Sequence, residues 1–199
     1  GKVTTAQKEI RKTDRNGRLA MSFSALANWG SDVGNKLGRW VLATFANIHP
    51  KAWLPKYASM SFVERARRQP VAVNAAAPAA GKRKVVLYAT CAGNYNKHEV
   101  GLATRAVLAK NGVETVVMHP GCCGMPQLEI GDLAAVSASA KKIAAELVPM
   151  IDQGYDVVAL TPSCALMLKF EWPLIAPKDA NVARLAKATR DVAEYVVEI

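Results

Sequence analysis

The 199-residue sequence contains no unbroken apolar run of the roughly 18 residues that a membrane span requires. Its start, GKVTTAQKEIRK, is polar and lacks the apolar stretch of a secretory signal. Cysteine is scarce: four thiols in a chain of this length are too few for a disulfide-built scaffold. These absences point to a reducing, cytoplasmic setting, in which grouped thiols are metal ligands or redox groups. Neither a Walker-type loop nor a G-x-G-x-x-G run occurs, so nucleotide binding has no support. No acid–base or nucleophile pair stands out, and no catalytic residue is assigned. Acidic residues are scarce in one region alone. Residues 1–80 hold 13 Lys/Arg against 4 Asp/Glu, whereas residues 81–199 hold 13 against 12. The net charge of +10 therefore belongs to the N-terminal part. Its basic residues fall on a lead-in and on turns, not on a folded face with aromatic platforms, which argues against nucleic acid.

Hydrophobic residues make up 51% of the chain, enough for an apolar core. Residues 1–20 are polar without an apolar period and read as an extended lead-in. From 23 to 48, Phe23, Leu26, Val33, Leu37, Val41, Phe45 and Ile48 fall on one helical stripe, with Trp29 and Trp40 at its border. Gly30, Gly34 and Gly38 each cost about 1 kcal/mol relative to Ala, so a break within this helix is expected. The stripe suits packing against further parts of a longer protein, a membrane surface, or a partner subunit. A start at Gly1 instead of Met fits a processed protein or a piece of a longer one. Residues 61–68 (SFVERARR) read as a short basic helix, and QPVAVNAAAPAAG at 69–81 has linker composition. The resulting division is a basic amphipathic helical segment at 1–68, a Pro/Ala linker at 69–81, and an α/β domain at 82–199.

Within that domain, KVVLYA (84–89), VETVVM (113–118) and DVVAL (156–160) read as short apolar strands. Helices are expected at 98–110, from Asp132 to about 150, briefly after Cys164, and at 181–198. The alternation predicts an α/β fold: three or more parallel strands with helices on both faces, a Rossmann-like or flavodoxin-like half, preceded by an α-helical basic segment. Sites in such sheets form outside the carboxyl ends of the strands. Cys91 follows the first strand, Cys122 and Cys123 the second, and Cys164 the third. All four thiols thus converge on one edge of the sheet.

Structural zinc usually draws ligands from a local C-x₂₋₄-C knuckle, which is absent. Vicinal Cys122 and Cys123 can place two thiolates on two metal atoms, which favours a polynuclear iron–sulfur cluster. In HPGCCGMP, Gly121 and Gly124 permit positive φ and offer N–H groups to sulfur. His119 is a candidate for hydrogen bonding next to that loop. Asn94, Tyr95, Asn96 and His98 follow Cys91 and could face the site. His49 reads as structural, Met125-Pro126 as loop packing, and Glu129 and Asp132 as helix caps.

The segments YATCAGNYNKHEVG, GCCGMPQLEIGD and TPSCALMLKFEWP resemble the cysteine-rich CCG domain. That domain occurs in heterodisulfide reductase, in the iron–sulfur subunit of anaerobic glycerol-3-phosphate dehydrogenase, which the segments resemble most, and in iron–sulfur subunits of glycolate and lactate oxidation systems. The resemblance covers about residues 84–199. It implies a noncubane four-iron or related iron–sulfur centre on Cys91, Cys122, Cys123 and Cys164, with Gly121, Gly124 and His119 around it. It implies electron transfer between a flavin dehydrogenase or other iron–sulfur subunit and quinone or a disulfide, in the cytoplasm or peripherally on the cytoplasmic face of the inner membrane. The fuller motif ends in C-x-x-C, and this chain has Met167 at the last position. Members also usually carry two repeats, so the chain resembles the first of two. The alternative expectation is a cluster-free scaffold or subunit-docking module, with thiol–disulfide redox a third.

Overall fold

A computed structural model describes residues 3–199. Four strands, β1 (Lys84–Tyr88), β2 (Glu114–Met118), β3 (Asp156–Ala159) and β4 (Thr189–Asp191), form one sheet in the order β2-β1-β3-β4. Every neighbouring pair is parallel, with Leu87 opposite Val117 on one side and Val158 on the other. Parallel strands need covering on both faces, and alternate side chains divide accordingly. Val86, Tyr88, Val157 and Ala159 pack against Val136, Ile143, Leu147 and Leu185. Val85, Leu87, Ala89 and Val158 pack on the other face with Phe62, Leu108 and Tyr195. The fold is the expected α/β type with helices on both faces. Its strand order matches the beginning of the flavodoxin-like pattern, whose switch point lies between β1 and β3.

The N-terminal part holds α1 (Thr5–Ile10), α2 (Thr13–Ser22), α3 (Ser24–Gly30), α4 (Lys36–Ala46) and α5 (Phe62–Arg68). The extended lead-in expected for residues 1–20 is thus replaced by two helices. A capping box between Thr4 and Gln7 starts α1, while α2 docks by polar contacts that leave no apolar period to read. The expected break in the 23–48 stripe falls at residues 31–35. There α3 and α4 cross so closely that a Cβ on Gly38 would lie 2.1 Å from the Gly30 carbonyl oxygen. The stripe is not buried in the core: Leu26, Trp29, Leu37, Trp40 and Phe45 are all well exposed. Phe62, at the start of α5, is fully buried under the sheet. The packed unit therefore reaches back past residues 69–81.

After β1 come α6 (Cys91–Tyr95) and α7 (His98–Lys110). Between β2 and β3 lie α8 (Met125–Leu128) and α9 (Leu133–Asp152), the latter capped by Asp132. After β3, α10 (Pro162–Leu166) runs through a π-helical turn (Met167–Glu171) into α11 (Trp172–Ile175). The single helix expected at 181–198 is instead α12 (Ala180–Ala188), β4 and α13 (Val192–Glu198). Thr189 and Asp191 pair with β3, and Asp191 opens α13 with a capping box to Glu194. Among the described residues, no helix is long and apolar enough to cross a membrane.

Candidate metal centre

Each cysteine leaves the sheet where its strand ends. Cys91 is the first residue of α6, one position beyond Thr90, whose φ of +52° is rare for a β-branched residue. That conformation is held by the Thr90 hydroxyl, which accepts from the Gly93 N–H at 3.2 Å and lies 3.2 Å from the Thr161 hydroxyl. The tie joins the β1 loop to the β3 loop, so Cys91 and Cys164 are set by one buried contact. Strain of this kind persists only where the surroundings enforce it, and it gathers at functional sites.

The β2 loop is fixed from both sides. The Tyr88 hydroxyl donates to the Gly121 carbonyl at 2.5 Å, the Ser139 hydroxyl to the Cys122 carbonyl at 2.9 Å, and the Trp172 indole to the Cys123 carbonyl at 2.9 Å. Gly124 has φ +86°, a conformation that favours glycine, and its N–H points to the Cys122 sulfur at 3.4 Å. Gly121 also has the positive φ expected of it, +158°, but its contact to the site is through the carbonyl and not the N–H.

All four thiols are free and meet in one array. Cys123 and Cys164 approach to 3.3 Å, and Cys122 interacts with both Cys91 and Cys123. Hydrogen bonds from Cys123 and Cys91 hold the Cys122 thiol well below its ordinary pKa, against the cost of burial, with help from Thr13 and the Gly124 N–H. Cys91 is pushed up first by Cys122 and then by burial; Cys123 is pushed up by Cys122 and Cys164 and then by burial. Cys122 is thus the sulfur at which the donors gather. Such an array of mutually close soft donors, Cys123 buried and the other three half-buried, fits a thiolate-held metal centre. Met167 has no place in it: the side chain is fully buried in the core beside Leu168 and Trp172.

Two site residues come from α2, and no local sequence pattern announces them. The Thr13 hydroxyl lies 3.6 Å from the Cys91 sulfur and 3.3 Å from that of Cys122. Asp14 accepts at one oxygen from the Tyr95 hydroxyl (2.7 Å) and meets His119 Nε2 at 2.7 Å. The bond with His119 comes first in lowering the Asp14 carboxyl to about 2; burial opposes it, and Tyr95 adds to it. His119, raised as a candidate beside the loop, is buried and stacks edge-on against Tyr95 with centroids 5.3 Å apart. His98 does not reach the site. It is buried against Phe62, and its Nε2 is 3.0 Å from the Asn94 carbonyl oxygen. Asn94 instead accepts from the Val63 N–H, and Asn96 donates to the Lys56 carbonyl.

A cavity of about 950 Å³ spans the gap between α2–α4 and the thiol loops. Leu26, Leu37, Val41 and Ile48 line its outer wall, and all four cysteines line its inner end.

With this geometry in place, residues 85–169 match the family model of the cysteine-rich domain CCG, a span that includes all four thiols. The chain carries a CCG cysteine-rich domain. Among curated proteins, lactate utilization protein A of Macrococcus caseolyticus is 32% identical over 123 residues, covering 58% of this chain and 47% of the relative. Lactate utilization protein A of Bacillus cytotoxicus is 27% identical over 121 residues, covering 58% and 48%. The chain spans about half the length of these relatives. No solved structure matches it significantly. Thr13 and Asp14 lie outside the matched CCG span, as do all of α1 to α5.

Proposed function

We propose that the chain is an iron–sulfur electron-transfer module of a multi-subunit oxidoreductase. The observation that carries this reading is the convergence of Cys91, Cys122, Cys123 and Cys164, from three strand ends of a CCG domain, into one array at the end of the cavity. A cluster bound there, noncubane or related, would supply one-electron chemistry. The chain's own groups do the rest. The thiols would hold the metal, the Gly124 N–H and the Thr13 hydroxyl donate to sulfur, and the apolar wall of α3 and α4 faces them across the cavity. Donors to cluster sulfur stabilise the reduced form and raise the potential.

In this reading electrons come from a flavin-containing or iron–sulfur subunit and leave to a quinone or a disulfide. The relatives are named for lactate utilization, which makes oxidation of a small hydroxy acid the favoured setting. The apolar, tryptophan-bearing surface of α3 and α4 beside the basic N-terminal charge supports peripheral attachment to an anionic membrane face. Anaerobic purification of the full-length natural product with iron and acid-labile sulfide assays tests the central claim. Iron and sulfide in similar amounts, lost in Cys122→Ser, are expected. A protein free of both, even after reconstitution, overturns it and favours the second reading, a cluster-free scaffold. The burial of Met167 where the family pattern has a last cysteine is what keeps that second reading in view.

A further inference from the structure

Three donor atoms of different chemistry converge at the α2 side of the centre. A carboxylate oxygen of Asp14, the Cys91 sulfur and a ring nitrogen of His119 all lie within 4.8 Å of one another. Zinc-type ions bind such donors at about 2.0–2.3 Å, so one ion between them needs only small movements. His119 is the telling member. Its side chain is only 4% exposed, Nε2 is engaged by Asp14, and Nδ1 is buried with no hydrogen-bond partner. A buried polar atom left unpaired costs about 1–3 kcal/mol, and such groups in native proteins call for an explanation such as an ion. With Nε2 on the carboxylate, Nδ1 is the ring atom left for an ion, as in metal-binding histidines, and the second Asp14 oxygen, with Arg18 at 3.4 Å, is the one that can join it.

Asp14 is brought to this place by contacts on either side of it in α2. Thr13, one residue earlier, reaches two of the thiols. Gly17, one turn later, lies against the Tyr95 ring so closely that a Cβ would sit 2.3 Å from it. The N-terminal segment is thereby seated on the centre and not merely tethered to the CCG domain.

We propose that Asp14, Cys91 and His119 form a mixed oxygen–sulfur–nitrogen site for a borderline divalent cation of the zinc or iron(II) type. It deepens the reading above by adding two donors outside the cysteine set at the Cys91 end, yet it stands on its own geometry and needs no cluster. The donor set is borderline in softness, which selects against calcium and magnesium.

Cobalt(II) titration under anaerobic, metal-free conditions is the test, with folding of every variant checked by circular dichroism. The background is the full chain carrying Cys122→Ser, Cys123→Ser and Cys164→Ser, so that Cys91 is the one thiol present. One cobalt per chain with a thiolate-to-cobalt absorption band is expected, and adding His119→Gln or Asp14→Ala should weaken binding about tenfold or more. His49→Gln removes an exposed imidazole outside the donor set and should leave the band in place. Absence of the band in the folded background, or equal affinity with and without His119 and Asp14, overturns the proposal. These outcomes are independent of whether iron and sulfide are found in the wild-type protein, so failure of one reading does not decide the other.

Discussion

Gly17→Ala is the sharpest perturbation of the contact that seats α2 on the thiols. On helix propensity alone the change should stabilise α2 by about 1 kcal/mol. The site says otherwise, because the new methyl would lie 2.3, 2.8 and 3.0 Å from three carbon atoms of the Tyr95 ring. That ring has nowhere easy to go. Its hydroxyl is bonded to Asp14, its edge or face meets His119, and its backbone carbonyl accepts from the Ala58 N–H at 2.8 Å. Overpacking of this kind costs about 1–3 kcal/mol, so the net effect is a loss of up to about 2 kcal/mol, concentrated in the docking of α2. A loss of about 1–2 kcal/mol multiplies the undocked population about 5- to 30-fold. Cys91 and Cys122 lie beneath Thr13, so their alkylation by a slow thiol reagent, limited by transient opening, should accelerate by the same factor. Gly30→Ala serves as control, since nothing lies within 4 Å of the added methyl. Alkylation in Gly17→Ala that is unchanged, or slower than in the parent, would refute the idea that α2 is seated on the centre through Tyr95.

Two further outcomes follow from the same contacts. Asp14 is ionised well below its usual range, down to about 2 in the metal-free chain. Its contribution to stability is therefore complete above its unfolded pKa of about 3.9 and is lost as pH falls toward 2. Urea unfolding at pH 6, 4 and 3 should show a smaller acid loss in Asp14→Asn than in the parent; parallel losses would show that the carboxylate gains nothing from His119 and Tyr95. For the membrane face, Trp29, Trp40 and Trp53 are exposed while Trp172 is buried, so tryptophan emission reports contact of the N-terminal face. A blue shift on phosphatidylglycerol vesicles that weakens with salt and drops in a Trp40→Ser, Phe45→Ser double variant is expected; the same shift in that variant would remove α4 from the contact.

The domain was legible because its signals are local and apolar. KVVLY and DVVA bury continuous apolar runs, ETVVM at the sheet edge is a half-buried one, and a Gly or turn residue follows each long helix, so strands and helices separate cleanly. The position of four cysteines just beyond those strands then follows from the rule that parallel strands end on one edge. β4 was not legible. Thr189–Asp191 is three residues long, and none of them is apolar; its strand state is enforced by β3, not by its own composition. The lead-in failed for a related reason. α2 buries Gly17 and otherwise presents Thr13 and Asp14 to partners 78 to 109 positions away in the chain, and a hydrogen bond to a distant sulfur or imidazole leaves no period in a sequence.

That difference bears on how the centre is built. The CCG span supplies the sulfur atoms, and Thr90–Thr161, Tyr88–Gly121 and Trp172–Cys123 tie its loops within the α/β domain. The hydroxyl, the carboxylate and the apolar roof come from helices outside that span. The thiols set the softness of the centre. What surrounds the sulfurs sets how dry the site is, which donors reach it, and from which side an apolar molecule can approach. In this chain those properties reside in the basic segment whose composition first pointed away from chemistry.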